Sequence, residues 1–257
     1  MMMKSLKLAA VAAALVALAS SSALATPTGT FWTPMSMDIQ SYKVVHLGID
    51  NYFTIGKKAS SGEQGAYPTD LGLTLGVLPL EKIQMEVGID ANYPTDYPYS
   101  FNAKIGAPED ALFKLSPALQ VGLYGVGTKD KVTNLNIIYG VIGKSIPEVG
   151  RISVGPYTGN KDLLKNAVGK KENNGFMVAF DRGFIPAKDA AGAEYNKIVF
   201  AADYASGKNA VGGYGFGINY YFTKDISLLT GPVFFNEKAI SGAWKWSTQL
   251  DINFPSF

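Results

Sequence analysis

The sequence predicts an all-β chain: an antiparallel transmembrane β-barrel of about twelve strands, placed behind a cleaved N-terminal signal peptide. Three observations lead there. Alternation with a period of two recurs along the chain after Ala25, where no stretch reads as a helix. The polar side of that alternation is crowded with glycine. Aromatic residues gather near the ends of the alternating segments.

The N-terminus carries its own signal. Lys4 and Lys7 supply positive charge, residues 8–19 are an unbroken apolar run, and Ala23-Leu24-Ala25 has the small-x-small form of a cleavage site. The run is shorter than the roughly 20 residues a spanning helix needs. Cleavage after Ala25 is expected, with an N-terminal periplasmic segment over 26–41 and the barrel over 42–257.

The strands expected are 42–55, 67–78, 82–93, 98–107, 117–127, 133–145, 151–159, 175–184, 196–205, 213–223, 226–236 and 243–254. The last is the clearest. Trp244, Trp246, Thr248, Leu250, Ile252 and Phe254 share one face, and Lys245, Ser247, Gln249, Asp251 and Asn253 the other. Connections alternate in character. One set is Gly-, Lys- and Asn-rich (56–66, 94–97, 128–132, 160–174, 206–212, 237–242). The other is mostly tight (79–81, 147–150, 224–225), with two longer members at 108–116 and 185–195. Loop length that alternates by barrel end suits a wall with one end at the periplasm and the other outside.

Alternation alone does not separate a membrane barrel from a soluble sandwich, since each has one apolar face. Glycine does. Gly72, Gly76, Gly88, Gly122, Gly140, Gly215 and Gly217 fall on the polar side, where a solvated face has little use for a poor strand residue and a crowded interior has one. The aromatics suggest interfacial girdles: Tyr67, Tyr93, Tyr97, Tyr99 and Trp244 by the longer loops, Phe222 and Phe254 by the shorter ones, with Trp246 close by.

Composition excludes several function classes. A net charge of +2 gives no reason to expect a nucleic-acid partner. With no cysteine and one histidine, zinc, haem and iron–sulfur sites are ruled out, and no cofactor is expected. Asp189 and Glu194 lack the Asp/Asn ladder of a calcium loop. Gly212 to Gly217 resembles a phosphate-cradling loop only in spelling, because it leads into an alternating strand rather than a helix. His46 has no serine signature around it, and the chain reads as a non-enzyme.

The alternation from Trp246 to Phe254, with a terminal Phe257, resembles the C-terminal signal strand of bacterial outer-membrane β-barrel proteins, with Phe254 or Phe257 in the terminal place. The resemblance covers the architecture of the whole mature chain and points to no subfamily. It implies the bacterial outer membrane as location, membrane lipid as surroundings, and recognition of the last strand by the barrel-insertion machinery.

Eleven charged residues are expected to line the lumen: Lys43, Glu86, Asp90, Lys104, Lys144, Arg151, Asp181, Lys197, Asp203, Lys245 and Asp251. Burying so many charges without water or partners costs several kcal/mol each. They therefore imply either a hydrated lumen or a closed network of ion pairs. The first gives a porin-like channel for passive passage of small polar solutes, with loops such as 160–174 narrowing the mouth. The second gives a non-conducting barrel that anchors or docks a partner. The near balance of signs gives no basis for preferring anions or cations.

Overall fold

The computed structural model describes residues 29–55 and 66–254. The signal peptide, its cleavage site, most of the 56–66 loop and Phe257 lie outside the described residues. Twelve strands follow in chain order: β1 (Val45–Phe53), β2 (Thr69–Gly76), β3 (Gln84–Tyr93), β4 (Tyr99–Ala107), β5 (Ala118–Gly127), β6 (Ile137–Ile146), β7 (Gly150–Thr158), β8 (Asn174–Lys188), β9 (Glu194–Ala205), β10 (Gly213–Thr223), β11 (Ile226–Phe235) and β12 (Lys245–Phe254). Each pairs antiparallel with its neighbours in sequence, and β1 pairs with β12 from Val45↔Phe254 to Phe53↔Trp246. The sheet is thus a closed barrel with no free edge.

All twelve strands fall where the alternation places them. One connection differs. Residues 185–195, expected as a loop, mostly continue β8 and β9, which pair on to Lys188↔Glu194. Below Tyr220↔Ile198, β9 has lost β10, and beyond Arg151↔Asp181 β8 has lost β7. This hairpin therefore extends past the rim on the tight-turn side.

The alternation points outward with its apolar half. On β2, Leu71, Leu73 and Leu75 are exposed while Thr74 and Gly76 are buried; on β5, Leu119, Val121 and Leu123 are exposed while Gln120 is buried. Phe216 and Ile218 on β10 follow the same rule. Burying one Leu- or Phe-sized chain is worth about 1.5–3 kcal/mol. A continuous belt of such chains left in water would outweigh the whole stability of a folded domain, roughly 5–15 kcal/mol. Lipid removes that penalty, so the barrel is a transmembrane one. No helix of the described residues is long and apolar enough to cross a membrane, which says nothing of strands.

The segment before β1 departs from expectation. Sequence reading sets 26–41 apart as a periplasmic stretch, but residues 29–41 run inside the barrel. Phe31, Met35, Met37 and Ile39 are all buried, as are Thr33, Ser36 and Gln40. The physical reason is that a twelve-stranded wall encloses more space than its own inward side chains fill.

Candidate functional site

The lumen is built from the inward half of each strand plus the strap 29–41. At the tight-turn end, the Gln40 backbone N–H donates to Glu86 Oε2 at 2.6 Å, and Gln40 Nε2 donates to Asn253 Oδ1 at 2.8 Å. Next, Arg151 bridges Asp38 of the strap and Asp181 of β8, each at 2.7 Å. The strap carbonyls are answered by wall side chains: Met37 O by Gln120 Nε2, Met35 O by Ser153 Oγ, and Ser36 O by Lys104 Nζ. Backbone groups in a strap without a strand partner need this service.

Deeper in, the strap turns, with the Thr30 N–H donating to Thr33 O. The Asp203 carboxylate receives the N–H groups of Phe31, Trp32 and Thr33 at 2.7–3.1 Å and the Thr33 hydroxyl at 2.9 Å. Phe31 lies against Gly215 and Gly217, where a Cβ would collide with its ring. That is why this strand carries glycine on its inner face. Toward the longer loops, Trp32 stands edge-on to Tyr52 at 5.6 Å and to Phe235 at 5.4 Å, and Lys245 Nζ lies over Tyr67 at 5.4 Å.

The strap does not fill the barrel evenly. Met35 packs with Ile137, Tyr139, Val141, Met177 and Ala179 against the β6–β9 wall. Leu164, fully buried from the 160–174 loop, covers the same side at the outer end. On the opposite side an open cavity of about 270 Å3 follows the inner face of β1–β3. Along β3 it touches Glu86, Gly88, Asp90 and Asn92, four successive inward positions that span most of the strand.

Of the residues expected in the lumen, Glu86, Asp90, Lys104, Arg151, Asp181, Asp203, Lys245 and Asp251 face inward. Lys104 and Lys245 are 1% and 0% exposed, and each contacts an acceptor: Glu86 Oε1 at 3.6 Å and Ala243 O at 2.8 Å. Three residues stand elsewhere. Lys43 is exposed at the rim, with its Nζ over the Tyr42 ring. Lys144 has the parity of exposed Ile138 and Ile142, faces out, and pairs with Glu109 at 2.7 Å. Lys197 has inward parity, but it is exposed on the protruding β8–β9 hairpin. Gly140 shares Lys144's outward parity, so β6 has its two faces exchanged relative to expectation. That strand is apolar on both sides, because its inner face packs on the strap.

Among the expected interface aromatics, Tyr93, Tyr97, Tyr99, Phe222, Trp244 and Phe254 are exposed at strand ends. Trp246 is half-buried, its indole N–H donating to Thr230 Oγ1 at 2.8 Å. Tyr67 is turned into the mouth, where its hydroxyl donates to Ser241 O. His46 faces the lumen, with Nδ1 2.9 Å from Asn253 Oδ1 and Nε2 3.3 Å from Asp251 Oδ1. Sequence reading missed the strap, Gln40 and Asp38 above all. The available signal was Met35, Met37 and Ile39 alternating with Ser36, Asp38 and Gln40, an apolar stripe that a solvated segment does not need.

A closed antiparallel barrel with a lipid-facing belt and a charged interior defines the class: the fold is that of a transmembrane β-barrel. Solved structures of similar fold include an outer-membrane channel from Pseudomonas putida F1, with 9% identity over 85% of this chain and 98% of that one, TM-score 0.44. The NanC porin has 8% identity over 81% and 99%, TM-score 0.47. Outer membrane phospholipase A from Escherichia coli has 10% identity over 89% and 98%, TM-score 0.42. No protein-family model and no curated protein matches the chain.

Proposed function

We propose that this protein is a channel of the bacterial outer membrane for passive passage of small polar solutes, narrowed from within by its own strap. The cavity along β1–β3 carries this reading. It follows the barrel wall past successive inward positions of one strand, and carboxylates, amides and hydroxyls on that wall face apolar residues such as Phe31, Trp32 and Leu123. The polar wall keeps water, and a hydrated solute replaces that water without crossing an apolar barrier. The constriction is the Gln40–Glu86–Lys104 group at the tight-turn end. On the same reading, β12 is the segment by which the insertion machinery takes up the chain.

Planar-bilayer recording of the refolded protein tests the proposal. Small, discrete conductance steps are expected, growing severalfold when residues 29–40 are deleted. No steps from the intact protein, and none from the deletion variant, would overturn it. The packing of Met35 and Leu164 against the β6–β9 wall favours the second reading, a non-conducting barrel. That reading gains if steps arise only after the deletion.

A further inference from the structure

The cavity wall is acidic in a particular arrangement. In the β-ladder register, one row across four strands reads Asp251–Gly48–Gly72–Asp90. The next inward row toward the longer loops reads Gln249–Asp50–Asp70–Asn92. Four carboxylates thus surround a floor of two glycines. Asp50 and Asp70 stand directly opposite each other, while Asp251 and Asp90 flank the floor three strand spacings apart, about 14 Å. A Cβ at Gly48 would meet nothing nearer than 3.7 Å, so that half of the floor lies open to the cavity, while over Gly72 the Asp90 Oδ1 would stand 3.1 Å from a Cβ.

Two further observations point to an occupant. Asp251 is 2% exposed and, although its Oδ1 meets His46 Nε2 at 3.3 Å, its Oδ2 has no hydrogen-bond partner; half-buried Asp70 likewise has an Oδ1 without one. Among the described residues no ion pair reaches Asp50, Asp70 or Asp90, whereas Arg151 is committed to Asp38 and Asp181. Like charges this close repel, and buried carboxylates without partners are costly. A cation relieves both.

We propose that this carboxylate horseshoe binds small organic polyammonium ions, and that these are the solutes the channel carries. The transport half rests on the proposed function; the binding half stands on the geometry. The described residues hold no metal-grade cluster of three ligands, and the carboxylates are spread along the wall, as separated ammonium groups require. Trp32, Tyr52 and Tyr124 line the same cavity and give the methylenes of such a chain apolar surface to pack on.

The test is titration calorimetry of the refolded, detergent-solubilised protein with spermidine at low salt. One saturable site is expected, weakened at least tenfold in Asp50→Asn/Asp70→Asn and measurably in Asp90→Asn. It should be unchanged in Asp96→Asn, which alters an exposed loop acid. Heat-modifiable gel migration confirms that each variant is folded. No saturable heat, equal affinity in the double variant, or equally effective displacement by magnesium would overturn the assignment. Conductance steps without spermidine binding sink this inference and leave the channel standing. Spermidine binding without conductance sinks the channel and the transport half with it, and leaves the binding half standing.

Discussion

At the scale of single residues, the lumen is held by a few charges whose partners come from the strap. Asp203 meets three backbone N–H groups and a hydroxyl, all provided by residues 31–33. Hydrogen bonds to a charged group contribute about 1.5–3 kcal/mol, and orphaned buried donors lose that and more. Asp203→Ala is expected to lower the stability of the strapped barrel by about 3 kcal/mol in urea unfolding, and Asp203→Asn, which retains an acceptor, by less. Equal stability of Asp203→Ala and the parent would show that the strap is not anchored there. Arg151 stands half-buried between two carboxylates, so Arg151→Met should cost about 1.5–3 kcal/mol by removing its charge-assisted hydrogen bonds to them and leaving them uncompensated. Adding Asp38→Asn and Asp181→Asn should restore most of the loss. If it does not, the triad is not the source of the effect.

At the scale of elements, the strap is the part that decides function. A side chain at Gly215 would meet the Phe31 ring, so Gly215→Val is expected to displace the strap without opening the barrel. Recorded in bilayers, this variant should show larger unit conductance than the parent and unchanged heat-modifiable migration. Unaltered conductance would mean that the strap does not restrict the lumen. The strands themselves were legible because each half-lipid, half-lumen strand must alternate, as β10 does from Gly213 to Phe222. β6 was legible as a strand but not as to face. Ile137, Tyr139 and Val141 serve the strap while Ile138 and Ile142 serve lipid, so both of its faces are apolar. The strap was illegible because its partners are scattered over distant strands; nothing local in residues 29–41 names Asp203 or Arg151. The acidic horseshoe was only half legible. Asp90 and Asp251 are among the eleven lumen candidates and Asp50 and Asp70 are not, and the four come together only through ladder register.

At the scale of the whole molecule, the barrel is inside out relative to a soluble one, and the consequences are specific to depth. Leu73 lies mid-strand on the outer face, and Leu80 in the tight β2–β3 turn. Leu73→Arg is expected to cost about 2–4 kcal/mol, and Leu80→Arg about 0–1 kcal/mol, in unfolding from lipid vesicles. Equal effects at the two positions would remove depth as the cause. The same orientation underlies the channel and the cation site, since both require that carboxylates and glycines share the inner face.

That orientation can be measured directly, because the chain has no cysteine and single labels are unambiguous. Nitroxides placed at Leu73 and at Thr74, adjacent residues on opposite faces of β2, are compared in lipid vesicles. The account predicts that the label at 73 collides freely with oxygen dissolved in the bilayer and is shielded from a water-soluble nickel complex, while the label at 74 shows far less contact with oxygen. Oxygen contact that is equal at the two positions, or greater at 74, would contradict it.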